Sequence, residues 1–215
     1  SVSVSTHNNR RSRLALAELL FMLYGIGELP EIISEPNGRP VFRDPHLPRF
    51  SISYAGNIVG VALTTEGDCG LDMELQHASR GVHPLHAADR YVFNSNENLW
   101  INIQHDPDEA RAQLVALRRS VLKLTGEAPV RVQLLPGSGR LRTAGTQSIE
   151  AICDAETLLV WSIAVTPNIG PLKVWEFDSK EGWRCLPDAQ TRAKETDARL
   201  MRFTSLPVEK VFSLN

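Results

Sequence analysis

Asp72 and Glu74 stand two residues apart in Gly70-Leu71-Asp72-Met73-Glu74, at the exit of a β-like stretch that begins at Phe50. On a strand, residues i and i+2 face the same way, so the two carboxylates share one face. Such a pair suits a hard cation such as Mg²⁺ or, equally, a solvated strand edge. Two carboxylates leave an octahedral shell short, so a third group, phosphate oxygens or water would have to complete it. A second cluster, Arg118, Arg119 and Lys123, closes an amphipathic segment. At helical spacing Arg119 and Lys123 share a face with Arg118 beside them, placed either for an anion or simply for the negative end of the helix dipole. Arg39, in the turn-like Glu35-Pro36-Asn37-Gly38-Arg39-Pro40, is either a further phosphate contact or a solvated arginine.

Other chemistry is poorly supported. His77, His83 and His86 follow the spacing H-x-x-x-x-x-H-x-x-H, which matches no structural zinc pattern with cysteines. The chain has no G-x-S-x-G, no G-x-x-x-x-G-K-[ST] and no G-x-G-x-x-G. Leu-Pro-Gly-Ser-Gly-Arg-Leu from Leu135 to Leu141 reads as a turn, because no helix follows it.

The elements that must position these residues come next. Phe50–Tyr54 and Ile58–Leu63 read as strands around a tight Ala55-Gly56-Asn57 turn, with the strand of the two acids after them. Arg10–Tyr24 reads as a helix with a stripe of Leu14, Ala17, Phe21 and Tyr24, and Leu16, Leu20 and Leu23 alongside; Ser1–Asn9 is polar and loose. Glu31–Ser34 is a short strand, and Val41–Pro48 a loop. Short helices are expected over His86–Phe93 and Ser95–Gln104, the second capped by Ser95 or Asn96. Asp106–Thr125 carries the strongest helix signal. Asp106 is a cap candidate, Pro107 suits the first helical position, Leu114, Leu117, Val121 and Leu124 make a buried stripe, and Gly126 ends it. Strands are expected over Ala128–Leu135, Gln147–Cys153, Leu158–Thr166 and Leu172–Phe177, and a helix over Asp188–Arg202. Helices beside short antiparallel strands make the class α+β.

With 215 residues, 42% hydrophobic content and a formal net charge of −2, the chain reads as an ordinary globular protein with no basic excess for nucleic acid or a membrane surface. Its three cysteines, widely spaced and odd in number, fit a reducing cytoplasm better than a disulfide framework. No apolar run is long enough to span a bilayer.

In order and spacing, five segments over roughly residues 10–170 resemble the Sfp/AcpT-type 4′-phosphopantetheinyl transferases. They are Gly38-Arg39-Pro40, Phe50-Ser51-Ile52-Ser53-Tyr54-Ala55-Gly56, Gly70-Leu71-Asp72-Met73-Glu74, Phe93-Asn94-Ser95-Asn96-Glu97, and Val115 to Lys123 with Gly126 after. The resemblance implies a fold of two pseudo-twofold related α+β halves with small antiparallel sheets, residues 1–68 and 69–176, followed by an extension over 177–215. It implies a monomer that binds coenzyme A between the halves and moves 4′-phosphopantetheine to a serine of an apo acyl or peptidyl carrier protein. In that comparison Asp72 and Glu74 hold Mg²⁺, Lys123 offsets charge on the transferred phosphoryl group, and Glu97 is a candidate base. Arg39, Ser53, Tyr54, Arg118 and Arg119 lie near the nucleotide and its phosphates.

The chain departs from the family's pattern at Ser51 for Asn, Tyr54 for His, Val115 for Trp, Arg118 for Lys and, above all, Arg119 for a metal-ligating Glu. Two outcomes are compatible with Arg119. Transfer continues with water and substrate oxygens completing the metal shell, or Arg119 pairs with Asp72 or Glu74 in a protein that binds coenzyme A or a carrier without chemistry. A different class, an interaction protein, rests on the tail 178–215, where Trp183, Leu186, Leu200, Met201 and Phe203 would dock on a partner or on the body itself.

Overall fold

In the computed structural model, which describes residues 2–76, 91–186 and 199–205, one helix and one strand meet at a glycine, and the remaining elements follow from that contact. The helix is α3 (Pro107–Thr125), preceded by α1 (Val2–Tyr24) and α2 (Ser95–Asn102). Asp106 caps α3 by accepting from the Asp108 and Glu109 N–H groups, and Gly126 ends it in the left-handed conformation at φ +66°. Leu114, Leu117, Val121 and Leu124 are all buried, as the spacing requires.

The first half of the chain supplies two antiparallel pairs. Strands β1 (Ile32–Ser34) and β2 (Pro40–Phe42) form one. Strands β3 (Arg49–Ala55) and β4 (Ile58–Thr64) form the other, joined by a two-residue turn whose first residue, Gly56, has φ +56°. The rest of the chain forms a mixed sheet of six strands in the order β5-β9-β8-β12-β7-β6. These are β5 (Asp68–Leu75), β6 (Gln133–Leu135), β7 (Arg140–Arg142), β8 (Glu150–Ala155), β9 (Leu159–Thr166) and β12 (Met201–Thr204). A separate hairpin joins β10 (Trp175–Asp178) to β11 (Gly182–Cys185). The class is therefore α+β, with one sheet larger than the small antiparallel sheets expected. Among the described residues, no helix is long and apolar enough to cross a membrane.

The two faces of the sheet have different partners. Ala151, Cys153, Val160 and Ala164 pack under α3. Leu71, Met73, Ile152, Trp161 and Ile163 face the other way and meet Ala55 and Ala62 of the β3–β4 hairpin. Alternation along β5 then puts Gly70, Asp72 and Glu74 on the α3 side. A Cβ added at Gly70 would lie 2.2 Å from the Ser120 carbonyl oxygen and 2.8 Å from the Leu124 nitrogen. The glycine is what lets the helix backbone descend onto β5 directly beside the two acids.

Several expectations are corrected. On α1, Leu16 and Leu20 are buried against Phe42 and Phe50, while Leu14, Phe21 and Tyr24 are exposed. Both faces of this helix are apolar, and only the position of the β2–β3 phenylalanines selects between them. The helix also starts at Val2, well before Arg10. The expected strand from Ala128 is a 3₁₀ turn, Pro129–Arg131, before β6, because Pro129 lacks a ladder donor and suits a helical first position. Residues 91–93 are not helical, and α2 is capped by Asn94. Residues 201–202 belong to β12 rather than to a helix, and β12 lies between β8 and β7 with Phe203 buried. This part of the tail is thus a component of the body. His77, His83 and His86, and most of the Asp188–Arg202 helix, lie outside the described residues.

The contact at Gly70 generates a test. Gly70→Ala is expected to lower unfolding free energy by roughly 1–3 kcal/mol, since helix and strand must separate to admit the methyl group. Gly137→Ala, where the added Cβ meets nothing within 4 Å, is expected to stay within about 0.5 kcal/mol of wild type. Urea unfolding of both variants measures the difference.

Candidate functional site

Strand β5 is the first strand of its sheet, so one side of its backbone has no strand partner within that sheet. Side chains take the place of that partner. Ser51 and Ser53 of β3 accept hydrogen bonds from the Leu71 and Met73 N–H groups at 2.9 and 3.1 Å. The Asp68 carboxylate accepts from the Cys69 N–H, and Arg39 donates to the Cys69 carbonyl. The Lys123 ammonium donates to the carbonyls of Leu71 in β5 at 2.7 Å and of Ile52 in β3 at 3.1 Å. One lysine from α3 thereby joins the hairpin to the large sheet.

A cavity of about 370 Å³ opens at this junction. Its lining includes Ser53, Tyr54 and Gly56 of the hairpin, Asp72 and Glu74 of β5, and Arg119 and Lys123 of α3. Spacing of four on the helix and two on the strand brings both cations over both acids. Arg119 Nη1 lies 3.1 Å from Glu74 Oε1, and its Nε lies 3.5 Å from Asp72 Oδ1. Lys123 Nζ is 3.6 Å from Asp72 Oδ1. The acid side chains are only 2% and 7% exposed, whereas Arg119 is 47% exposed.

Burial pushes the Asp72 carboxyl up to about 7; Arg119 and Lys123 oppose this, and Glu74 reinforces it. Burial also lowers the Lys123 ammonium below the usual lysine value, against the pull of Asp72. Asp72 Oδ2 is buried without a hydrogen-bond partner. The site therefore has fixed cations, a carboxyl near its titration point, and one unsatisfied oxygen.

These residues do not fit the expected Mg²⁺. A hard cation of that size takes six oxygens in near-ideal geometry. Here two carboxylates face two cations of their own, and the guanidinium stands against the oxygens a metal would need. Among the described residues no group of three or more His, Cys, Asp or Glu side chains could hold a metal ion. The single unpartnered oxygen of Asp72 does not offset this.

The expected site residues divide into two sets. Asp72, Glu74, Ser53, Tyr54, Arg119 and Lys123 line one cavity. Arg39 does not line it. Arg39 is held by a two-pronged pair with Asp68 at 2.6 and 2.7 Å, and Asp68 also takes Arg49 at 3.0 Å. Glu97 of α2 and Arg118 of α3 form a buried ion pair at 2.8 Å away from this cavity, with the guanidinium over the Tyr91 ring. They line a second cavity, so neither Glu97 as a base nor Arg118 as a phosphate contact reaches Asp72. Arg118 precedes Arg119 by one residue, about 100° around the helix, which is enough to send them to different surroundings. The edge-binding role of Ser51, and of Ser53 and Lys123, was not foreseen. Its only sequence signal is the pair of serines two residues apart, facing the same side of β3.

Two outcomes test this arrangement. Lys123→Met leaves two strand carbonyls without their donor and is expected to cost roughly 1–3 kcal/mol of stability by denaturant unfolding. The folded state raises the Asp72 pKa, so it binds an extra proton between about pH 4 and 7. Stability from this proton is full below that window and lost as pH rises through it. Relative to Asp72→Asn, the wild type is expected to weaken steadily as pH rises from about 4 to 7 and then level off, as read from urea midpoints.

No protein-family model matches the chain. It is 62% identical over 208 residues to the Uncharacterized protein YieE of Escherichia coli (strain K12), spanning 95% of this chain and 84% of that protein. The protein of the same name from Escherichia coli O6:H1 (strain CFT073) matches with the same identity and coverage.

Proposed function

The chain belongs to the family of the YieE proteins, and we propose that it transfers 4′-phosphopantetheine from coenzyme A to a serine of an apo acyl or peptidyl carrier protein. The observation that carries this reading is the meeting of Asp72, Glu74, Arg119 and Lys123 in one cavity beside the β3–β4 turn. The resemblance to the Sfp/AcpT-type transferases supports it, and in this reading the cavity is the cleft for the coenzyme A diphosphate.

The chemistry asks for positioning and charge stabilisation more than for covalent help. Arg119 is half exposed in the cavity and suits two-pronged contact with phosphate oxygens. The carrier serine oxygen forms a bond to the phosphorus that bears the pantetheine arm. The bond from that phosphorus to the bridging oxygen breaks, and 3′,5′-ADP leaves with that oxygen. The serine proton passes to water, since Glu97 is engaged with Arg118 away from the cavity. Lys123 holds the cavity wall in shape through its carbonyl bonds and adds positive charge beside the diphosphate.

A second reading, binding of coenzyme A without transfer, is favoured by the pairing of Arg119 with both acids. Incubation of several apo carrier proteins with the full chain and coenzyme A, followed by intact-mass spectrometry, separates the two. The expected result is a gain of one 4′-phosphopantetheinyl group on at least one carrier, with release of 3′,5′-ADP. Absence of any gain across the carriers, with coenzyme A bound, leaves the binding reading.

A further inference from the structure

We infer that Arg119 is the built-in cation of this site: its guanidinium takes the bridging position between Asp72 and Glu74, and the cavity binds a diphosphate without a divalent metal. This rests on the reading of the cavity as a coenzyme A site.

The argument begins with geometry. One planar group reaches both buried acids, through Nη1 at 3.1 Å to Glu74 and through Nε at 3.5 Å to Asp72. A guanidinium carries five N–H donors in a rigid fork and stays protonated at any ordinary pH. At least three of those donors remain after the contacts to the acids. The side chain is 47% exposed, so this outer edge is open to a ligand in the cavity. Guanidinium geometry matches two phosphate oxygens at once, the same service a bridging metal gives a diphosphate.

Charge points the same way. With both carboxyls ionised, Asp72 and Glu74 match Arg119 and Lys123 charge for charge, the paired atoms lying within 3.6 Å of one another. A divalent ion seated on the same carboxylate oxygens would meet both cations at close range. It would have to expel Arg119, and the acids would then serve the ion alone. Lys123 cannot retreat to make room, because its ammonium is bonded to the Ile52 and Leu71 carbonyls. An arriving diphosphate meets the exposed guanidinium of Arg119, backed by buried acids that hold the arginine in place.

Three measurements on the full chain test this. Calorimetry with coenzyme A is run in excess EDTA and in Mg²⁺, and Mn²⁺ alone is titrated with electron paramagnetic resonance as the readout. The expected result for wild type is the same Kd in both buffers to within about threefold, and no bound Mn²⁺. Arg119→Glu is expected to bind Mn²⁺ and to bind coenzyme A at least about tenfold more tightly with Mg²⁺ than without. Because that variant crowds three acids together, Arg119→Gln is tested beside it, with circular dichroism to verify the fold. It is expected to lose at least about tenfold in metal-free affinity.

Wild-type binding that tightens about tenfold or more with Mg²⁺ overturns the inference while leaving the coenzyme A reading intact. So does Mn²⁺ bound by wild type and lost in Asp72→Asn, or metal-free affinity unchanged in Arg119→Gln. Coenzyme A bound in neither buffer defeats the reading of the cavity, and the inference falls with it.

Discussion

The edge of β5 that has no neighbouring strand within its sheet, among the described residues, is the constraint on which the rest of the arrangement depends. A strand edge buried beside another unit must have its N–H and C=O groups satisfied, since each orphan costs on the order of 1–3 kcal/mol. A neighbouring strand would do this with its own backbone. Here β3 lies alongside but offers hydroxyls, with Ser51 and Ser53 taking two N–H groups. Arg39 and Lys123 take the carbonyls of Cys69 and Leu71. Hairpin, helix and sheet are thus joined by side chains, and the space a backbone ladder would fill is left partly open beside Tyr54 and Gly56.

That solution explains the chemistry of the cavity. Lys123 reaches the strand edge only because α3 lies directly on β5, and α3 lies there only because position 70 has no side chain. The same approach puts Arg119, one turn earlier, over Asp72 and Glu74. The acids are then buried, and each has a cation beside it. Where the Sfp/AcpT-type pattern has a carboxylate that works with a divalent ion, the combined charge is one positive. A single guanidinium carries the same charge. In the proposed reading, Arg119 therefore changes the means by which the site is made cationic and preserves its balance.

Legibility in the sequence varied with the range of the interaction involved. The termini of α3 were readable because capping by Asp106 and termination at Gly126 are decided within a turn of helix. The face of α1 was misread because Leu14 and Leu16 are equally apolar, and only the distant Phe42 and Phe50 distinguish them. Strand β12 was hidden in a charged tail, because a four-residue strand between two others takes its stability from neighbours rather than from pattern. Glu97 was matched by motif to the site, yet on α2 it pairs with Arg118, which α3 turns about 100° away from Arg119, and both line a different cavity.

By itself the sequence determined that Asp72 and Glu74 share a face, that Arg119 and Lys123 share another, and that a glycine precedes the acids. Strand alternation and helical pitch are local geometry, and no fold can alter them. Only the tertiary structure decided that these two faces meet, that Lys123 also holds the strand edge, and that Arg119 stands on the oxygens a metal would require. Those contacts join residues 45 positions apart for Arg119 and Glu74 and 71 apart for Lys123 and Ile52. Their formation depends on how closely two backbones can pack, a property of the whole core that no local spacing encodes.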